Sequence, residues 1–129
     1  MKLLGIDYGR KKIGLAIGDT IVKLVEPMQV LSNSRFKFQS LRLIKENNIE
    51  KIVIGLPSGK MDDEIKNFGK NLEKNSGVIV EYFDESLTTL DAQKILLASG
   101  RRRKSRKERE DAIAAAIMLQ SFIETTSFI

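Results

Sequence analysis

Residues 2–17 read KLLGIDYGRKKIGLAI. Two short runs rich in Leu and Ile, Lys2–Ile6 and Ile13–Ile17, flank the polar, Gly-containing stretch Asp7–Lys12. Apolar runs of this length bounded by turn residues predict strands, and the short link makes them a hairpin. Strand side chains alternate, so Leu3, Gly5 and Asp7 share one face while Leu4 and Ile6 share the other. Gly5 leaves a gap beside Asp7 into which another element can settle. Lys23–Leu31 predicts a third strand, and Pro27 within it assigns that strand to an edge. Phe36–Asn47 has apolar residues at 36, 38, 41, 43 and 44, the spacing of an amphipathic helix. Lys51–Leu56 (KIVIGL), closed by Pro57, is an unbroken apolar run and predicts a strand buried on both faces. Asp62–Asn75 predicts a second helix and Val78–Phe83 a fifth strand. Thr88-Thr-Leu-Asp91 has capping-box spacing and opens a helix to Ala98, stopped by Gly100. Ser105-Arg-Lys-Glu108 is a second such box and opens the last helix, Arg106–Thr125. The order β-β-β-α-β-α-β-α-α predicts an α/β fold, a mixed sheet with helices on both faces and right-handed parallel crossovers.

The length of 129 residues fits a single domain, 1–129, and 42% hydrophobic with 30% charged residues is the balance of a globular protein. There is no Cys and no His. Thiolate zinc sites, thiol nucleophiles, imidazole ligands and the Ser-His-Asp triad are therefore excluded. The longest apolar run, Ala112–Leu119, is shorter than the roughly 20 residues of a membrane span, so no membrane partner is expected. Asp7 and Arg10 interrupt the first residues, which do not read as a secretory signal, and a cytoplasmic location is expected.

Net charge is +5, and its distribution is informative. Arg101, Arg102, Arg103, Lys104, Arg106, Lys107 and Arg109, against Glu108 alone, give residues 101–109 a net +6, so the other 120 residues sum to −1. Charge gathered in one short stretch suits a polyanion such as nucleic acid.

Three acids stand at element ends. Asp7 ends the first strand. Asp84-Glu85 ends the fifth, and alternation sends the two to opposite faces without choosing between them. Asp111 shares a stripe with Ala114, Ala115, Met118 and Phe122, which is expected to face the sheet. Each acid has an ordinary reading: a turn residue at Asp7, a cap at 84–85, an ion pair of Asp111 with Arg103, Lys107 or Arg109. The basic segment, likewise, can be a solvated loop. Brought together at one sheet edge, however, three carboxylates repel one another, and hard Mg²⁺ or Mn²⁺ ions with oxygen ligands relieve that repulsion. Two such ions about 4 Å apart would clamp a phosphate for in-line attack by water, chemistry that needs neither His nor Cys.

Ile6-Asp7-Tyr8-Gly9 with Ile13-Gly14-Leu15-Ala16, then Gly55-Leu56-Pro57, then Asp84-Glu85-Ser86-Leu87-Thr88-Thr89, then Asp111-Ala112-Ile113-Ala114-Ala115 together resemble the YqgF family, also called RuvX. The resemblance runs in order over essentially the whole chain. It implies a ribonuclease H-like fold with a five-stranded mixed sheet in the order 3-2-1-4-5. It also implies metal-dependent phosphodiester hydrolysis, with Asp7, Glu85 and Asp111 as catalytic metal ligands. Ser86 departs from the pattern, because an Arg usually follows the glutamate.

The leading functional expectation is a Mg²⁺- or Mn²⁺-dependent endonuclease acting on structured RNA, the 5′ end of precursor 16S ribosomal RNA. Lys11, Lys12 and the basic residues of 101–109 would contact the phosphate backbone without reading sequence. A Holliday junction resolvase acting on branched DNA is the second expectation; it needs two active sites and hence a homodimer, where the first is served by a monomer. A non-catalytic RNA-binding assembly factor is the third. The likeness of Asp7–Gly14 to the first phosphate loop of sugar kinases and actin-type ATPases ranks below these, since such enzymes need two domains around a nucleotide.

Overall fold

The computed structural model describes residues 1–88 and 110–126. Five strands form one sheet: β1 (Lys2–Asp7), β2 (Lys12–Asp19), β3 (Leu24–Ser32), β4 (Lys51–Leu56) and β5 (Ile79–Asp84). Their order is β3-β2-β1-β4-β5. The first three make an antiparallel meander, and β4 and β5 add in parallel on the other side of β1. This is the α/β ribonuclease H-like arrangement expected from the sequence. Pro27 sits on edge strand β3, beside a bulge: Leu15 pairs with Gln29 and Ala16 with Pro27, leaving Met28 as the extra residue. An edge bulge is where a residue without an N–H costs least.

Helices α1 (Asn33–Glu46) and α2 (Asp62–Ser76) cover one face; α3 (Glu110–Thr125 among the described residues) covers the other. Helix α1 starts three residues before its apolar period does. Ser32 caps it, accepting from the Arg35 amide at 3.2 Å, and its first turn, Asn33-Ser-Arg35, is polar and invisible to hydrophobic spacing. Helix α2 carries Asp62, Asp63 and Glu64 in its first turn, where the helix dipole favours negative charge. It ends at Gly77 with φ 73°, a left-handed position suited to glycine. The predicted helix Thr88–Ala98, past Thr88, lies outside the described residues, as does the expected start of the last helix at 106–109. Among the described residues, no helix is long and apolar enough to cross a membrane.

The core is split by the sheet. Leu4, Ile6, Ile13, Leu15, Ile52 and Ile54 point to α1 and α2 with Phe36, Ile65 and Leu72. Leu3, Ala16, Val53 and Phe83 point to α3 with Ala115, Leu119 and Phe122. Each fully buried Leu, Ile or Phe contributes roughly 1.5–3 kcal/mol of transfer free energy. The gap expected at Gly5 is filled by α3: a Cβ there would lie 3.0 Å from the Leu119 Cβ and 3.2 Å from the Ala115 carbonyl. The expected stripe on this helix needs correction. Ala114 is exposed and Asp111 half-buried, whereas Ala112, Ala116, Leu119 and Ile123 join Ala115, Met118 and Phe122 in contact with the sheet. The helix is apolar nearly all round, so its spacing does not fix its rotation.

The tightest approach is at Gly14, where a Cβ would collide with the Asp111 carbonyl and crowd the Ala112 amide at 2.8 Å. Backbone cannot yield as a side-chain tip can. Gly14→Ala is expected to destabilise the protein by about 1–3 kcal/mol, the usual cost of overpacking, read by denaturant unfolding. Wild-type stability in that variant would mean α3 is not seated on β2 as described.

Candidate active site

Asp7 is the last residue of β1, the middle strand of the sheet, and shares a face with Leu3 and Gly5 as alternation requires. Both flanking positions lack side chains. Across β2 its partner is Gly14. On the other side Ile6 pairs with Ile54, so Gly55 follows beside Asp7. The Asp111 backbone rests over Gly14, and the Glu85 carboxylate over Gly55, where a Cβ would stand 2.8 Å from Oε1. Two glycines thus make room for the other two acids on either side of the first.

The 84–85 alternative is resolved by geometry. Asp84 is exposed; its Oδ1 accepts from the Ser86 amide at 2.9 Å and from the Ser58 hydroxyl at 3.1 Å. The Ser86 bonds, with Ser58 adding to them, hold its carboxyl below the usual carboxylate range. The Ser58 bond ties the chain after Pro57 to the end of β5. Asp84 is therefore occupied in shaping the turn. Glu85 opens the 3₁₀ turn Glu85–Leu87 and lies half-buried against Gly55 and Met118, on the α3 face.

Electrostatics follow from this crowding. Asp7 is raised from 3.8 to about 7, first by burial, then by the charges of Glu85 and Asp111. Glu85 is raised too, by burial and then by the charges of Asp62 and Asp84. Among the described residues, no Lys or Arg pairs with Asp7, Glu85 or Asp111. Nor do three acidic side chains among the described residues come close enough to hold one ion between them. The three lie within electrostatic reach but do not form a closed protein cage. That donor chemistry fits Mg²⁺, which takes one or two carboxylates and fills its shell with water and substrate phosphate oxygens.

Of the expected phosphate contacts, Lys11 and Lys12 are exposed beside this end of the sheet. Arg101, Arg102, Arg103, Lys104, Arg106 and Lys107 lie outside the described residues. Ser86, where the family pattern usually has an Arg, is exposed and uses its amide to bind Asp84. A further set of side chains was not foreseen. The Tyr8 hydroxyl donates to Glu64 at 2.7 Å, and Arg10 grips the same carboxylate at 2.9 Å, which pins the loop after Asp7 to the start of α2. The available signal was alternation: if Asp7 faces α3, Tyr8 must face the other helices.

A five-stranded 3-2-1-4-5 mixed sheet between helices is the ribonuclease H-like arrangement. Solved structures agree on the fold. Thermus thermophilus RuvC in complex with a Holliday junction substrate superposes with a TM-score of 0.65 at 16% identity, covering 96% of each chain. The fowlpox virus Holliday junction resolvase gives 0.60 at 16% identity, covering 97% of this chain and 99% of that one. Within that class, residues 1–125 match RuvX, described as Holliday junction resolvase, and the chain belongs to this family. Relatives named "Putative pre-16S rRNA nuclease" include one from Lactococcus lactis, 34% identical over 95% of this chain and 94% of its own length. Another, from Listeria monocytogenes, is 35% identical over 98% of this chain and 100% of its own.

The raised Asp7 has a measurable consequence. Its folded pKa exceeds its unfolded one, so the folded state holds the extra proton and loses stability as pH rises from about 4 to 7. Glu85 acts in the same direction, while Asp84 acts in the opposite sense and only at more acid pH. Without divalent cations, Asp7→Asn is expected to match the wild type near pH 4. By pH 7 it should exceed the wild type by on the order of 2–4 kcal/mol in guanidinium unfolding. Parallel pH profiles for the two proteins would rule out a buried, repelled carboxylate at position 7.

Proposed function

We propose that the chain is a divalent-metal-dependent endonuclease that cuts structured RNA, with the 5′ end of precursor 16S ribosomal RNA as its substrate and the cytoplasm as its place of work. The observation that carries this reading is the Asp7 carboxylate. It is half-buried, raised to about 7 and without a cationic partner among the described residues, while two further acids sit over its glycine neighbours. A protein that keeps such repulsion at the end of its central strand has a use for bound cations there. The names of the relatives at 34–35% identity support RNA as the substrate.

Asp7, Glu85 and Asp111 would hold Mg²⁺ or Mn²⁺, each ion taking one or two of these carboxylates and completing its shell with water and substrate oxygens. When bound, such ions supply Lewis acidity toward a phosphate and a bound water of lowered pKa. The chain itself does the placing. Strand β1 fixes Asp7, the 3₁₀ turn aims Glu85 inward, and α3 brings Asp111 over Gly14. Lys11, Lys12 and the basic residues of 101–109 would draw in and orient the phosphate backbone, giving affinity but little sequence preference. The same machinery serves a four-way DNA junction. That second reading is favoured by the family description and by the likeness to resolvase structures.

Asp7→Asn, Glu85→Gln and Asp111→Asn are each expected to lower cleavage of a precursor 16S fragment at least about a hundredfold, and EDTA to abolish it, while the variants stay folded. Undiminished cleavage by Asp7→Asn, or activity in EDTA, would sink the assignment. A junction assay run beside the RNA assay decides the substrate: preferential cutting of the four-way DNA, together with a dimer by light scattering, would favour the second reading.

A further inference from the structure

The face of the sheet remote from Asp7 carries features that phosphodiester cleavage leaves unexplained. A groove of about 480 Å³ runs between α1 and α2. Its lining includes three aromatic rings in contact: Tyr8 and Phe68 have centroids 4.8 Å apart, Phe36 and Phe68 5.7 Å. Asn71 and Asn75, one turn apart and exposed on α2, also line it. Leu41, which also lines the groove, is 50% exposed, and Phe38 on the outer face of α1 is 86% exposed. Helix spacing sets Arg35, Phe38, Leu41 and Lys45 along one outer face. Helix α1 holds Arg35, Lys37, Arg42 and Lys45 against Glu46 alone. Arg42 is paired with Glu46 at 3.0 Å; among the described residues, Arg35, Lys37 and Lys45 have no acidic partner.

This face is continuous with the acid end of the sheet. Tyr8 follows Asp7 directly. The Asn33 amide donates to the Lys11 carbonyl at 2.9 Å and its carboxamide to the Gly9 carbonyl at 2.9 Å, so α1 begins on the loop that carries Lys11 and Lys12. Unpaired cations, an exposed aromatic ring and an aromatic groove with carboxamides match single-stranded nucleic acid. Phosphates meet the cations, bare base faces stack on the rings, and base edges can bond to carboxamides. A duplex, with its bases stacked internally, has no use for Phe38.

We propose that the outer face of α1 and the α1–α2 groove form a binding track for an unpaired RNA segment that flanks the cleavage site. Arg35, Lys37 and Lys45 bind its phosphates, Phe38 stacks on a base, and the groove receives another. The placement next to a cleavage site rests on the nuclease reading above; the binding itself does not.

The test is fluorescence anisotropy, in EDTA, with a short labelled RNA that has no secondary structure and a duplex of the same sequence. Phe38→Ala, a surface change that leaves the core intact, is expected to weaken single-strand binding at least about fivefold and to leave duplex binding unchanged. Arg35→Gln with Lys45→Gln should lower the salt slope for the single strand by about 1.4. Wild-type affinity in Phe38→Ala, or equal losses for single strand and duplex, would overturn the proposal. Because the assay scores binding without cleavage, a failed nuclease reading leaves its result standing, and a failed track leaves the cleavage assay untouched.

Discussion

The structure turns on the absence of two side chains. Asp7 ends the central strand, and the positions beside it on β2 and β4 are Gly14 and Gly55. A methyl group at either would meet the Asp111 backbone or the Glu85 carboxylate. With side chains there, α3 would stand off from the sheet and the turn after β5 would swing outward. The acids would then be separated and solvated. Because the seats are bare, the last helix lies against the strands, and three segments distant in sequence share one end of the sheet.

That closeness has an electrostatic cost. Burial alone disfavours an ionised Asp7, and two neighbouring carboxylates add to the penalty without a compensating cation among the described residues. A fold under selection for stability alone would place Asn or Ser there. Several other acids of the chain are partnered: Glu64 is held by Tyr8 and Arg10, Glu81 by Lys51, Asp84 by Ser58 and Ser86. Asp7 differs from these in being both half-buried and without a cationic partner among the described residues.

Much of this was legible in the sequence, for identifiable reasons. Strands with unbroken or alternating apolar runs were found within a residue or two, and Lys51–Leu56 on its full range, because β-periodicity and turn residues bound them on both sides. Pro27 gave away the edge. Gly5 gave away a close approach, yet Gly14 and Gly55, the two that matter most to the site, passed as ordinary strand residues because pairing register is not written locally. The choice between Asp84 and Glu85 was likewise closed to alternation, since the strand ends between them and a 3₁₀ turn resets the direction of the side chain. The rotation of α3 is not legible in the sequence, because Ala112–Leu119 offers apolar residues on every side.

The two faces of the sheet are coupled by one feature of strand geometry. Consecutive residues point to opposite sides, so Asp7 commits to α3 and Tyr8 to α2 in the same step. Tyr8 is then fixed by Glu64 and by the ring of Phe68, and the loop it anchors is fixed again by Asn33 at the start of α1. The position of Asp7 therefore depends on contacts made on the face it does not occupy. Packing between α1 and α2 thus helps set the carboxylate, as do the glycines that flank it.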